Sequence, residues 1–279
     1  MKVPIKYIAS SGREYSLMSN GIRQKNANYH KWKWDVEGTK LQYGVRVAGF
    51  SRDAGNYETE LYISGGPVAR QKFINDLHDD FENDVRKNKT GRFVWGSYHA
   101  DGFITSSDTH PADNNIETVN EITIFCPYPF WIEELTVSMY PSQASASNFL
   151  DFPFDFPFDF TPPTIGQKIV ESDFPFESEF QMIIYGFVDN PRITVNGYSY
   201  VLYTTIPQGA YVIIDSRAKT IMQYNTNGTR TNIFNYRNKT DSVFQKIPSG
   251  NLNITWDASF GVDLKVYHER SEPRAEVVT

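Results

Sequence analysis

A single cysteine, Cys126, stands in the 279 residues, which excludes an intrachain disulfide and any metal site built on several thiolates. Histidine is also scarce. His30, His78, His99, His110 and His268 are scattered, with no pair at the spacing of metal ligands. No glycine-rich phosphate loop follows a strand to open a helix, and GxSxG, HExxH and the calcium-loop spacing are missing. The expectation is a chain without catalytic residues, cofactor or metal. An excess of positive charge is absent too: 27 basic against 33 acidic residues leave −6, spread without blocks. That balance opposes a protein that grips nucleic acid by its phosphates, yet it suits a surface that lets nucleic acid slide past. No uncharged apolar run approaches the ~18 residues of a membrane span, so no membrane partner is expected. The opening MKVPIKYIASSGREYS alternates in polarity and lacks the continuous apolar stretch of a signal peptide, which predicts a soluble chain made in a cytoplasm.

What is abundant is aromatic residues (Phe 20, Tyr 17, Trp 5) and period-2 alternation, the mark of half-buried antiparallel strands. Leu41, Tyr43, Val45 and Val47 read as one face of a strand, and Ile122, Ile124 and Cys126 as another. Leu252, Ile254 and Trp256, and then Val262, Leu264 and Val266, repeat the pattern. Turn chemistry falls between such runs: Asn196-Gly197 signals a hairpin, and Asn227-Gly228, Pro207-Gln208-Gly209 and Pro248-Ser249-Gly250 punctuate the rest. Cys126 sits on an alternating strand and reads as a small buried hydrophobe. Trp32 and Trp34 also read as sharing a strand face, with core or interface packing as the plain role and sugar stacking as the alternative.

One stretch departs from alternation. Ile74, Leu77, Phe81 and Val85 form a 3.6-period stripe, and Pro67 suits a first helical turn, so a helix is expected over about 67–88. Its other face, Arg70, Asp76, Asp79, Asp80 and Asp84, reads as solvated. Composition changes after Trp131: SQASASN (142–148) is followed by DFPFDFPFDFTPPTIG (151–166), a proline-interrupted tract without helical pattern. This predicts a first domain over 1–140, a linker over 141–171 and a second domain over 172–279. The expected fold class is mainly β: an N-terminal β-sandwich or split-barrel-like domain with one α-helix, then a second β-sandwich. In an extended tract, Phe152, Phe154, Phe156, Phe158 and Phe160 all fall on one side, and Pro153 and Pro157 remove donors from one edge only. That predicts an edge-lying segment whose aromatic face needs cover. Asp151, Asp155 and Asp159 are separated by proline and phenylalanine, which opposes a calcium cage.

Several segments together resemble the distal tail proteins of long-tailed bacteriophages. They are FCPYPFW (Phe125 to Trp131), similar to the closing strand of the family's first domain, the DFPFDFPFDF tract, and Gly65-Gly66-Pro67 ahead of the helix. GFVDNPRITV (186–195), GAYVIIDSR (209–217) and IPSGNLNI (247–254) then follow in the order of the family's galectin-like domain. The resemblance implies a hexameric ring of first domains around a lumen for DNA passage, joining the tail tube to tail-tip, baseplate or receptor-binding proteins in the virion tail. It makes Phe152, Phe154, Phe156, Phe158, Phe160, Trp32, Trp34, Tyr128, Phe130 and Trp131 the candidate interface residues. About 110 residues follow the tract, enough for one sandwich and too few for an inserted sugar-binding module. A lectin-like carbohydrate-binding β-sandwich is the competing function, with Trp32, Trp34, Trp95, Trp131 and Trp256 as its stacking candidates.

Overall fold

The computed structural model describes residues 5–19, 21–112, 116–141 and 165–274, so the tract at 151–160, with its five phenylalanines, lies outside the described residues. The chain is mainly β. In order, the elements of its first part are β1 Ile5–Ile8, β2 Glu14–Ser16, β3 Ile22–Lys25, β4 Asp35–Lys40, β5 Val45–Ser51, β6 Gly55–Ile63, α1 Pro67–Lys87, β7 Gly91–Trp95, β8 Tyr98–Pro111, β9 Thr118–Cys126 and β10 Trp131–Met139. Then come β11 Ile165–Val170, β12 Glu179–Tyr185, β13 Val188–Asp189, β14 Arg192–Val195, β15 Tyr198–Val201, β16 Thr205–Ile206, β17 Tyr211–Asp215, β18 Thr220–Tyr224, β19 Arg230–Asn232, β20 Leu252–Asp257 and β21 Val262–Arg270. Two compact units result, Met1–Glu133 with Glu269–Thr279, and Glu134–His268, with boundaries inside β10 and β21.

In the first unit, antiparallel pairing links β3, β6, β9, β8, β7, β1 and β2 in that order. The long strand β8 makes this possible, because it pairs with β7 from Tyr98 to Gly102 and with β9 from Phe103 onward. A register shift between Ile104 and Ser106 bends it where it changes partner, as bulges do. Ile122, Ile124 and Cys126 are buried as their alternation predicts, and burial pushes the Cys126 thiol up to about 12. The aromatic centre is Trp131, Tyr29 and Tyr57, with ring centroids 5.9–6.1 Å apart.

Helix α1 begins at Pro67, where a missing N–H costs no hydrogen bond, and ends with Asn88 in the left-handed conformation, φ 50°. Ile74, Leu77 and Phe81 are buried, but Val85 is exposed and Asp80 and Asp84 are buried in its place. This corrects the reading of the acidic face as wholly solvated. The carboxylates stay inside because β1, β2 and the turn between them supply donors to them. Tyr7 Oη and the Ser10 N–H (3.1 Å) bond Asp84, and Tyr15 Oη and Ser11 Oγ (3.0 Å) bond Asp80. Arg13 Nε lies 3.4 Å from Asp80. Burial first, then the bond to Asp80, pushes the Tyr15 hydroxyl up to about 12, and the same causes raise Tyr7 beside Asp84, so both remain donors.

The second unit is a two-sheet sandwich. β19, β18, β17, β12 and β21 are neighbours in one sheet, and β11, β20, β14 and β15 in the other. Between them pack Phe180, Met182, Ile184, Val212, Ile214, Leu252, Ile254, Val262 and Leu264, all buried in alternation with half-buried or exposed neighbours. Asn196-Gly197, with φ 47° and 87°, closes the two-residue β14–β15 hairpin as its sequence predicts. Trp256 is buried and donates its indole N–H to the Phe260 carbonyl at 3.1 Å, so its face is closed to sugar stacking.

Candidate functional site

Strands β4 and β5 pair only with each other, forming a separate hairpin in the first unit. Six strand residues at about 3.3 Å each make it roughly 20 Å long. Val36 faces Phe50, Gly38 faces Val47, and Lys40 faces Val45. Val45 and Val47 would by simple alternation lie opposite Phe50, but a bulge at Glu37/Gly38 inserts one residue and brings all three onto one face. Gly38 is required there, since a Cβ would sit 2.5 Å from the Arg46 carbonyl oxygen. The result is an amphipathic hairpin, with Val36, Val45, Val47 and Phe50 on one side, where Lys40 ends the row beside Val45, and Asp35, Glu37, Thr39 and Arg46 on the other. The apolar side is uncovered: all four residues are more than half exposed, and Tyr43 at the tip is 86% exposed. A two-stranded ribbon is marginal alone in water, and an apolar face of this extent marks a surface built to be covered.

The expectation of one strand through Leu41, Tyr43, Val45 and Val47 is corrected here. Leu41 and Tyr43 form the tip, where Gly44 takes φ 82° and the Leu41 N–H bonds the Gly44 carbonyl at 3.0 Å. Trp32 and Trp34 likewise do not share a strand, because β4 begins only at Asp35. Both are exposed in the segment leading into the hairpin.

At the hairpin's base the structure brings together three residues that the sequence had singled out. Trp34 lies 6.0 Å from Phe130, and Phe130 lies 5.3 Å from Tyr128. The guanidinium of Arg52, just past β5, sits 5.0 Å over Phe130 and 5.9 Å over Trp34 and donates to the Ser271 carbonyl at 3.3 Å. The FCPYPFW run is two strand ends joined by a loop, because Pro127 and Pro129 remove the donors that a continuous strand would need. Trp131 enters β10 and is 1% exposed, whereas Trp34 and Tyr128 present ring surface to solvent.

Between α1 and the bend of β8 lies an open groove of about 550 Å³, floored by Phe81, Val85 and Ile104 and rimmed by Glu82, Arg86 and Ser107. Sequence reasoning missed it, since nothing local marks where a strand will bend. His78 lies in its wall, where Asn120 donates from its amide to His78 Nε2 (2.7 Å) and to Thr109 Oγ1 (3.1 Å). Ser107 Oγ donates to Asn120 Oδ1 (3.0 Å) and is 2.8 Å from His78 Nε2. A serine and a histidine at that distance can form a nucleophile and base, but Asn120 occupies the nitrogen that would take the serine proton. The network is a clamp of α1 onto β8 and β9. Burial lowers the His78 pKa, with Asp79 and Glu82 opposing the shift. The neutral form is therefore the folded one: its stability is fully present above about pH 6.5 and is lost as pH falls through the depressed folded value. Urea midpoints between pH 7 and pH 5 should fall for the unmodified chain and fall less for His78→Gln. Equal slopes would show that His78 carries none of the dependence.

Among the described residues no group of three or more His, Cys, Asp or Glu could hold a metal ion, and no helix is long and apolar enough to cross a membrane.

No family model and no curated protein sequence matches this chain. Solved structures do. The chain is similar to the crystal structure of the SPP1 Dit (gp 19.1) protein, described as a paradigm of the hub adsorption apparatus in phages infecting Gram-positive hosts. The TM-score is 0.59 at 9% identity, over 97% of this chain and 100% of that one. It is also similar to a chain of the phage P2 baseplate in its activated conformation, with Ca and with Sr, at TM-scores of 0.61 and 0.62, 12% identity, and 98% and 100% coverage. At such identities the likeness speaks for backbone architecture and not for residue roles. Over almost its whole length, this chain has the fold of these phage hub and baseplate proteins.

Proposed function

We propose that this chain is a structural component of a phage tail, a distal tail protein whose copies form a ring at the junction of tail tube and tail tip. The observation that carries the reading is the uncovered amphipathic hairpin of β4 and β5, on a chain similar in fold to hub and baseplate proteins over almost its whole length. An isolated ribbon with Val36, Val45, Val47 and Phe50 in water gains stability only when another surface covers it, and a further copy of the same chain supplies one in every subunit. Contact between two different surfaces of identical chains closes into a ring when the rotation permits, and six copies is the number that the resemblance implies. The first unit then forms the ring and its lumen. The second carries tail-tip, baseplate or receptor-binding proteins, and DNA passes without being bound, as the −6 charge favours. The exposed faces of Trp34 and Tyr128 extend the interface beyond the hairpin. This role is structural, with no catalysis and no cofactor, and its place is the virion tail.

The test is Val36→Thr with Phe50→Ser, which removes two of the four apolar side chains of that face and leaves the Gly38 bulge and the tip untouched. The double variant should retain the circular dichroism of the parent and sediment as a single chain. A variant that keeps the parent's assembled mass would contradict the hairpin's role.

A further inference from the structure

The two outward faces of the second unit's sandwich are unlike. On the sheet of β11, β20, β14 and β15, the outward residues Gln167, Thr255, Thr194 and Ser199 are polar, with Ile169 an apolar exception on the edge strand. A solvated sheet face reads that way. On the other sheet the outward residues are Ile183 and Tyr185 of β12, Tyr211 and Ile213 of β17, and Met222 and Tyr224 of β18. They form two rows across the strands: Tyr185 faces Tyr211, which faces Tyr224, and Ile183 faces Ile213, which faces Met222. Tyr185 is exposed and the other five are half-buried, on the side away from the core residues Ile184, Val212 and Ile214. Six adjoining apolar side chains on an outward face mark a surface built to be covered.

We infer that the chain's own DFPFDFPFDF tract (151–160) is the cover of this face, with its phenylalanines against the tyrosine and aliphatic rows and its aspartates toward water. Three observations select that occupant. The first is where the neighbouring chain begins and ends. A Cβ on Gly261 would lie 3.5 Å from the Tyr185 ring and 3.7 Å from the Pro141 ring, so Pro141, the last described residue before the tract, stands beside the first tyrosine of the row. Strand β11, which follows the tract, starts with Ile165 opposite Asp257, at the entrance of the 258–261 turn that ends in that same Gly261. Both departure and return are thus at the end of the sandwich where the tyrosine row runs. The ten residues between Pro141 and Phe152 reach up to about 33 Å, and the row spans about 10 Å from β12 to β18. The second observation is a described copy of the motif, Asp173-Phe174-Pro175-Phe176. Its Phe174 ring is buried and stacks at 4.3 Å on His268 of β21, and Phe176 meets Phe174 edge-on at 5.5 Å, so the same four residue types already pack onto this sandwich. The third is the ring geometry, which offers a sugar no flat platform: Tyr211 and Tyr224 stack on each other at 4.9 Å and 5°, and Tyr185 is tilted 45° to Tyr211. The inference concerns one chain and stands apart from the ring reading.

The experiment is Phe156→Cys with Met222→Cys in the full chain, set against Phe156→Cys with Thr255→Cys on the opposite, polar face. The only native thiol, Cys126, is buried and raised to about 12, so it does not compete. Under mild oxidation the first pair should lose both free thiols to a reducible bond within one chain, with no gain in mass on denaturing gels, and the second pair should keep its thiols. A bond between chains would give the face to a neighbouring copy's tract. Equal bonding on both faces would show a tract that does not dock, and no bond at Met222→Cys would leave the face to a glycan or a partner protein. Each of these results overturns the inference. A second check needs no cysteine. Phe154→Ser with Phe156→Ser and Phe158→Ser should keep the parent's circular dichroism and bind an apolar dye several-fold more strongly, and free DFPFDFPFDF peptide should reverse that gain. Dye binding equal to the parent's, or a gain that the peptide leaves unchanged, would overturn the inference as well.

Discussion

Replacing Trp131 by alanine should lower the stability of the first unit by about 3–5 kcal/mol, while replacing Trp34 should cost the single chain less, about 1–2 kcal/mol. Trp131 is 1% exposed and packs edge-on to Tyr29 and at a tilt to Tyr57, so truncation leaves a cavity walled by rings that cannot collapse. Trp34 packs beside Phe130 and the Arg52 guanidinium but keeps 39% of its surface in water, so its truncation opens no closed cavity. Its loss should appear in assembly. Urea unfolding of the two variants checks the contrast, and similar losses would mean that Trp34 belongs to the core rather than to a contact surface.

Asp84→Ala should cost about 3 kcal/mol, a large effect for a charged residue on a helix. The carboxylate is fully buried and accepts from the Tyr7 hydroxyl and the Ser10 N–H, so its removal leaves one buried and one half-buried donor without an acceptor. Tyr7→Phe strands the other partner, a buried carboxylate left with the Ser10 N–H. The double variant should therefore be less destabilised than the sum of the singles, by about 1–3 kcal/mol in a double-mutant cycle. Additive losses would show that the two groups do not depend on each other.

This network also shows where sequence reading stops. Asp80 and Asp84 stand among charged neighbours and look solvated, because their partners Tyr15 and Tyr7 are 65 and 77 residues away in the chain. Alternation was legible wherever one face meets a core, as at Ile122–Ile124–Cys126 and Val262–Leu264–Val266, since burial enforces the period. The same valine alternation in β5 gave no sign that its apolar face would be uncovered, because the pattern records amphipathicity and not what covers it. Helix α1 was legible to within a residue, from Pro67 and the Ile74–Leu77–Phe81 stripe. Trp34, Tyr128 and Phe130 were singled out in sequence, and the fold brings them together. The groove was not legible, since it depends on a bulge between Ile104 and Ser106 that side-chain type does not specify.

The central claim is that a chain of this fold closes into a ring through its first unit. Native mass spectrometry of the purified chain, with negative-stain images of the same sample, tests it most directly. The account predicts one dominant species of six chains, seen as a ring with a central hole and lost in the Val36→Thr, Phe50→Ser variant. A monodisperse single chain at tens of micromolar, with no rings in the images, would contradict it.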